Sequence, residues 1–203
     1  MMKEWLSHYG YLLIVLVAVT IGAAVIFFFA AKAYSKHNAL YKAQEAEMRR
    51  LLALKEKYMD FSQETLACAD EGEILEGVVL SYQLRLQKDE NPEKAFALMD
   101  EKKQNLYVLD VFCADADVAV FFSENGKIVK DRILPALSMI GMEDFSHRLK
   151  FIYDMYDEDN EEVSYSESKT KIMNEFISDN NILGKIKSEG AKYIKNNFSA
   201  VKN

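Results

Sequence analysis

Residues 5–31 hold no Asp, Glu, Lys or Arg, and Tyr11 to Ala31 within them is almost wholly apolar. About 20 apolar residues at 1.5 Å rise each cross a hydrocarbon core of roughly 30 Å. An uncharged run of this length has no polar face to turn toward water, so it predicts a transmembrane helix over 11–31 rather than a buried core helix. A cleaved signal peptide needs a basic start, an apolar stretch of about 7–15 residues and a small-residue cleavage site. Here Lys3 stands against Glu4, the run is longer, and Ala30-Ala31-Lys32-Ala33 gives a weak site. Trp5, Tyr9 and Tyr11 lie at one edge and Tyr34 past the other, positions that amphipathic rings favour at a membrane interface. Ala18 and Gly22 form one small-xxx-small pair, which permits close approach of another helix.

Charge orients the span. Lys3 is the basic side chain before it, whereas Lys32, Lys36, Lys42, Arg49, Arg50, Lys55 and Lys57 follow it. Basic flanks stay on the cytoplasmic side, so the expectation is a single-pass protein of the cell membrane with a short extracytoplasmic N-terminus (1–10). A basic juxtamembrane helix (32–71) and an acidic helical domain (72–203) then lie in the cytoplasm. Cys68 and Cys113 show no disulfide framework or metal spacing, and both fall on apolar stretches, where a buried thiol is expected.

The charge changes sign along the chain. Residues 32–57 hold seven basic and three acidic side chains, 58–167 hold ten and 25, and 168–203 hold seven and three, for nets of +4, −15 and +4. Lys32, Lys36, Lys42, Arg49 and Arg50 are placed to meet anionic headgroups, at about 1 kcal/mol each near the surface. The −15 block repels nucleic acid and anionic surfaces, so no direct nucleic-acid binding is expected. Such acidity serves solubility, and it also suits a face that meets a basic protein.

With two prolines and eight glycines in 203 residues, and few alternating stretches, the soluble part is expected to be all-α. Residues 33–71 lack a breaker before Gly72, and Leu51, Leu54, Tyr58, Phe61 and Cys68 share a stripe. About two clean heptads fall short of the three to four a coiled coil needs, so packing onto the following domain is favoured over a dimeric stalk. Further helices are expected over 73–87, from Asn91-Pro92 to about Met99, and from an Asp100 cap through Leu106, Leu109, Val111 and Phe112. Val118 to Phe122 is read as a helix from its neighbours, and Asn125-Gly126 as a turn. Asp131 is expected to cap a helix with Pro135 in its first turn and Gly141 as its stop. The remaining helices are expected over 143–156, 169–178 and 182–198.

Asp157, Asp159 and Glu161 fit positions 1, 3 and 5 of an EF-hand loop, but Glu162 and Ser168 stand where Gly and Glu belong, so a solvated loop is expected. His8, His37 and His147 have no metal-ligand spacing, and no HExxH, phosphate loop or nucleophile elbow occurs. Asp115/Asp117 and Asp157/Asp159 are acidic pairs without the unequal environments of an acid and base. The expectation is a non-enzymatic chain with no cofactor, no metal and no small-molecule substrate.

Leu106-Tyr-Val-Leu-Asp-Val-Phe112, the Phe121-Phe122 pair before Asn125-Gly126, Ala136-Leu-Ser-Met-Ile-Gly141 and the tail Tyr193-Ile-Lys-Asn-Asn-Phe198 resemble the bacterial DNA-mimic-protein family over about 75–198. The resemblance implies an all-α fold and, through one characterised type of member, DNA mimicry. The family carries Asn-Asn-Gly-Gly-Phe before the aromatic pair, where this chain has Ala114-Asp-Ala-Asp-Val118. The glycines that permit an unusual turn are gone.

The expected function is a membrane-anchored cytoplasmic binding module. Asp110, Asp115, Asp117, Glu124, Asp154, Asp157, Asp159, Glu161 and Glu162 are its candidate partner-binding residues. A tethered DNA mimic and a helical scaffold dimerising through 33–68 are the alternatives.

Overall fold

The computed structural model describes residues 38, 40–154 and 167–202, and every regular element among them is helical. The expected span over 11–31 lies outside the described residues, as do Tyr156 and the run from Asp157 to Glu162. No helix among the described residues is long and apolar enough to cross a membrane. The chain divides into two units, 1–52 and 53–203.

In the first unit the described chain is helical from residue 40, in a helix (α1) whose helical residues run over 40–58. Its exposed polar side carries Arg49 against Glu45 at 2.6 Å and Arg50 against Glu47 at 2.8 Å. Leu40, Tyr41, Met48 and Leu52 are also exposed.

The second unit starts with the last turn of α1, where Leu54 and Tyr58 are buried. The expected continuous helix to residue 71 is interrupted, and Phe61 turns into the core. The reason is a capping box: Ser62 Oγ accepts from the Thr65 amide, and Thr65 Oγ1 accepts from the Ser62 amide. That pairing starts a new helix rather than continuing the old one, and Gln63–Cys68 (α2) follows. Cys68 is exposed, not buried as expected; the new helix restarts the angular phase of the stripe that assigned it to the core. Asp70 then caps Glu71–Leu86 (α3), whose Ile74, Leu75, Val78, Val79 and Tyr82 are buried. Asn91 and Asp100 cap Pro92–Ala97 (α4) and Glu101–Asp115 (α5), as their side-chain chemistry requires. Val118–Glu124 (α6) is helical, as its neighbours suggested.

Asp131 does not cap the next helix. It closes Lys127–Lys130 (α7), and its carboxylate accepts from the Tyr153 hydroxyl at 2.6 Å. Ile133–Met139 (α8) starts after Arg132, keeps Pro135 in its first turn, and stops at Gly141 with φ of 77°. Glu143–Tyr153 (α9) and Glu167–Asp179 (α10) follow, then Ile182–Asn196 (α11) and Phe198–Lys202 (α12).

The core of this unit is organised by α3 against α11, with α5 packed on both and on α8. Gly190 of α11 admits Leu75, which a Cβ would meet at 3.4 Å. Gly77 of α3 lies under Tyr58, whose ring a Cβ would meet at 2.3 Å. Phe112, Phe121 and Phe122 form an edge-to-face run with centroids 5.1 Å apart at each step, a favoured aromatic geometry. The Phe121-Phe122 pair is therefore core. The Tyr82 hydroxyl donates to the Val201 carbonyl at 2.7 Å and holds α12 on α3.

Candidate interaction surface

The segment 114–118 is short, and its aspartates face a packing problem before a recognition one. Helix α5 ends when Ala116 adopts the left-handed conformation (φ 53°, ψ 0°). The turn that a glycine makes without strain is here made by alanine. Asp117 then caps α6, its Oδ1 accepting from the Ala119 and Val120 amides at 2.7 and 3.3 Å. Its second oxygen accepts from Asn174 Nδ2 at 2.8 Å, and Asn174 Oδ1 accepts from the Val118 amide at 3.0 Å. This reciprocal bracket ties the start of α6 to α10. Asp115 Oδ2 accepts from Asn125 Nδ2 at 2.9 Å, and the same amide donates to the Phe121 carbonyl. Both aspartates are half-buried and hold the chain together around the aromatic pair.

The other candidate acids are placed differently. Asp154 is exposed and paired with Lys150 at 2.8 Å. Glu124 is exposed at the end of α6. Asp110 is half-buried on α5, one turn from both Tyr107 and Cys113. Burial first, and then the Asp110 charge, push the Tyr107 phenol up. The same two causes push the Cys113 thiol up to about 12, with Lys187 acting the other way. His147 is exposed on α9. Lys42, Arg49 and Arg50 are exposed on α1, whereas Lys32 and Lys36 lie outside the described residues. No cluster of His, Cys, Asp or Glu able to hold a metal occurs among the described residues.

A groove of about 720 Å³ lies where α3 ends, α4 begins, and α5 and α7 pass. Leu86, Pro92, Phe96, Tyr107, Ile128 and Val129 supply its apolar wall. Gln83, Gln87 and Lys127 add polar groups without an acid–base pair. The Phe96 and Tyr107 rings pack at a tilt of 55° with centroids 4.9 Å apart, and the Gln104 amide donates to the Phe96 carbonyl at 2.6 Å, fixing the floor. Ile128 is 52% exposed. Glu124 lies two residues before Gly126, and exposed Asp89 and Glu90 form the turn between α3 and α4. Of the candidate acids, Glu124 is exposed and stands two residues before the groove residue Gly126, Asp110 is half-buried one turn after Tyr107, and Asp115, Asp117 and Asp154 have the partners named above.

Sequence reasoning passed over the groove because its wall is drawn from four helices. Leu86 and Phe96 are separated by the turn through Lys88 and Asn91, and Ile128 stands alone after Asn125-Gly126. No local signal marks the groove, because a single exposed apolar residue such as Ile128 is ordinary on a protein surface.

Comparison with protein-family models, with curated proteins and with solved structures gives no match.

Proposed function

We propose that this chain is a membrane-anchored binding module, held by a span over 11–31 with its helical domain in the cytoplasm, that captures a basic protein segment. The observation that supports it best is the apolar groove with Ile128 exposed at its wall. A groove of this size accepts one or two apolar side chains of a partner, and burial of each contributes about 1.5–3 kcal/mol. Exposed Glu124, Asp89 and Glu90 steer a basic partner toward it, which raises the on-rate more than the affinity. Lys127 at the wall is positioned to receive a partner carboxylate or carbonyl. The span adds local concentration at the membrane. The resemblance to DNA-mimic proteins supports one form of the basic partner, a nucleic-acid-binding protein. The internal roles of Asp115 and Asp117 take them out of any phosphate-like ridge.

Site-specific photocrosslinking in native membranes tests the groove. A crosslinker at Ile128 of the full-length chain is expected to trap a discrete basic protein, with less trapped at high salt. A crosslinker at Phe151, exposed elsewhere on the unit, is expected to trap none. Equal adducts at both positions, or no discrete adduct at Ile128, overturn the reading. Topology has a natural reporter in exposed Cys68, which an impermeant maleimide is expected to label only after the membrane is opened.

A further inference from the structure

We infer that α1 is a self-association helix: residues 40–52 of two copies pair in parallel through Leu40, Tyr41, Met48 and Leu52, just beyond the membrane. The inference rests on the membrane-anchored reading.

The observation is an apolar face that is exposed among the described residues. Leu40, Tyr41, Met48 and Leu52 are 57, 62, 60 and 55% exposed. At 100° per residue they fall with half-buried Leu51 on one side of the helix, within about a third of its circumference. Lys42, Arg49 and Arg50 lie away from this face, and Glu45 and Glu47 border its two edges. Tyr41 and Met48 are seven residues apart, as are Gln44 and Leu51, the spacing of a two-stranded seam. Gln44 places one polar side chain in that seam, which costs stability, and the shared membrane sets the parallel orientation.

Charge distinguishes the occupants. A helix lying on an anionic bilayer carries a strongly basic polar face. Here Glu45 and Glu47 are ion-paired with Arg49 and Arg50, so over 40–52 three basic residues meet two acidic ones. A nearly neutral polar face gains little from anionic lipid, and it does not repel its own copy. The seam has about two heptads, too few to hold a free dimer in water. The tether removes that objection. The uncharged run ends at Ala31, nine residues before Leu40. Two copies in one membrane therefore present this face at the same height and in the same direction. Their effective concentration offsets most of the association entropy. Ala18 and Gly22 permit the preceding helices to approach as well.

The test is disulfide crosslinking of the full-length protein in its membrane, with Cys68→Ser throughout. Met48→Cys is expected to crosslink on mild oxidation. Ala46→Cys, on the opposite side, is expected to stay monomeric. Combining Met48→Cys with Tyr41→Glu and Leu52→Glu is expected to cut the crosslinked fraction about tenfold, through like charges in the seam. Membrane fractionation of the same samples separates the two readings. A chain absent from the membrane overturns the anchor. A membrane-bound chain whose Met48→Cys stays monomeric, or crosslinks no better than Ala46→Cys, overturns the pairing. A label at Met48→Cys that a lipid-soluble quencher reaches, without crosslinking, assigns the face to the bilayer instead.

Discussion

Leu52 and Leu54 are two residues apart on α1, yet Leu52 is 55% exposed and Leu54 is 4% exposed. The same contrast separates the two ends of the helix. From residue 40 to 52 Leu40, Tyr41, Met48 and Leu52 are exposed, with Leu51 half-buried. From 53 to 58 they enter a core in which Tyr58 lies over Gly77 and its hydroxyl donates to Glu73 at 3.2 Å. Lys57 pairs with the same glutamate. Helix propensity is alike at the two ends, so propensity does not make the difference. A facing helix with a glycine at the contact point does.

The sharpest way to break this comparison is to truncate one side chain at each end. Tyr58→Ala leaves a ring-sized cavity over Gly77 and is expected to destabilise the unit by roughly 3–5 kcal/mol, whereas Leu52→Ala is expected to change it by less than about 0.5 kcal/mol. Denaturant unfolding of the full-length chain followed by circular dichroism measures both, and equal effects would erase the distinction. The bracket between α6 and α10 comes next. Asn174→Ala strands the buried Val118 amide and one Asp117 oxygen, at an expected cost of about 1–3 kcal/mol.

Alkali separates core from surface in another way. The folded state holds the Cys113 proton up to about 12 against an ordinary thiol value of 9.0. Above pH 9 the unfolded chain releases that proton first, so the stabilisation is complete below pH 9 and is lost as pH rises toward 12. Stability is expected to fall by about 1 kcal/mol by pH 10 on this account alone, and Cys113→Ala should flatten the slope. Burial first, and then the Glu73 charge, raise the Tyr58 hydroxyl in the same sense. The smallest effect is a gain. Ala116→Gly relieves a left-handed alanine and is expected to add about 0.5–1 kcal/mol, visible as a higher midpoint of thermal unfolding.

Local chemistry was legible wherever a signal is short-range. Asn91 and Asp100 announced their helices through cap chemistry, and Gly141 announced its stop. The Ser62–Thr65 box is equally local, and it divides the helix expected over 32–71. Asp131 misled because α7, a single turn, consumed it as a C-terminal cap. The acidic candidates show the limit most clearly. Asp115, Asp117 and Glu124 look alike in the sequence, yet the first two accept hydrogen bonds from Asn125 and Asn174 while Glu124 is exposed. Asn174 lies 57 residues from Asp117, and no periodicity connects them.

Sequence alone determined the helical class, because breakers are few and caps are local. It also determined the uncharged run that no water-facing helix could carry, and the sign changes of charge around it. Tertiary structure decided which carboxylates are cross-links and which face solvent, where four helices leave an apolar groove, and which end of α1 is covered. Those outcomes depend on pairs of residues far apart in the chain, whose meeting is set by how helices pack and by where a glycine lets them approach.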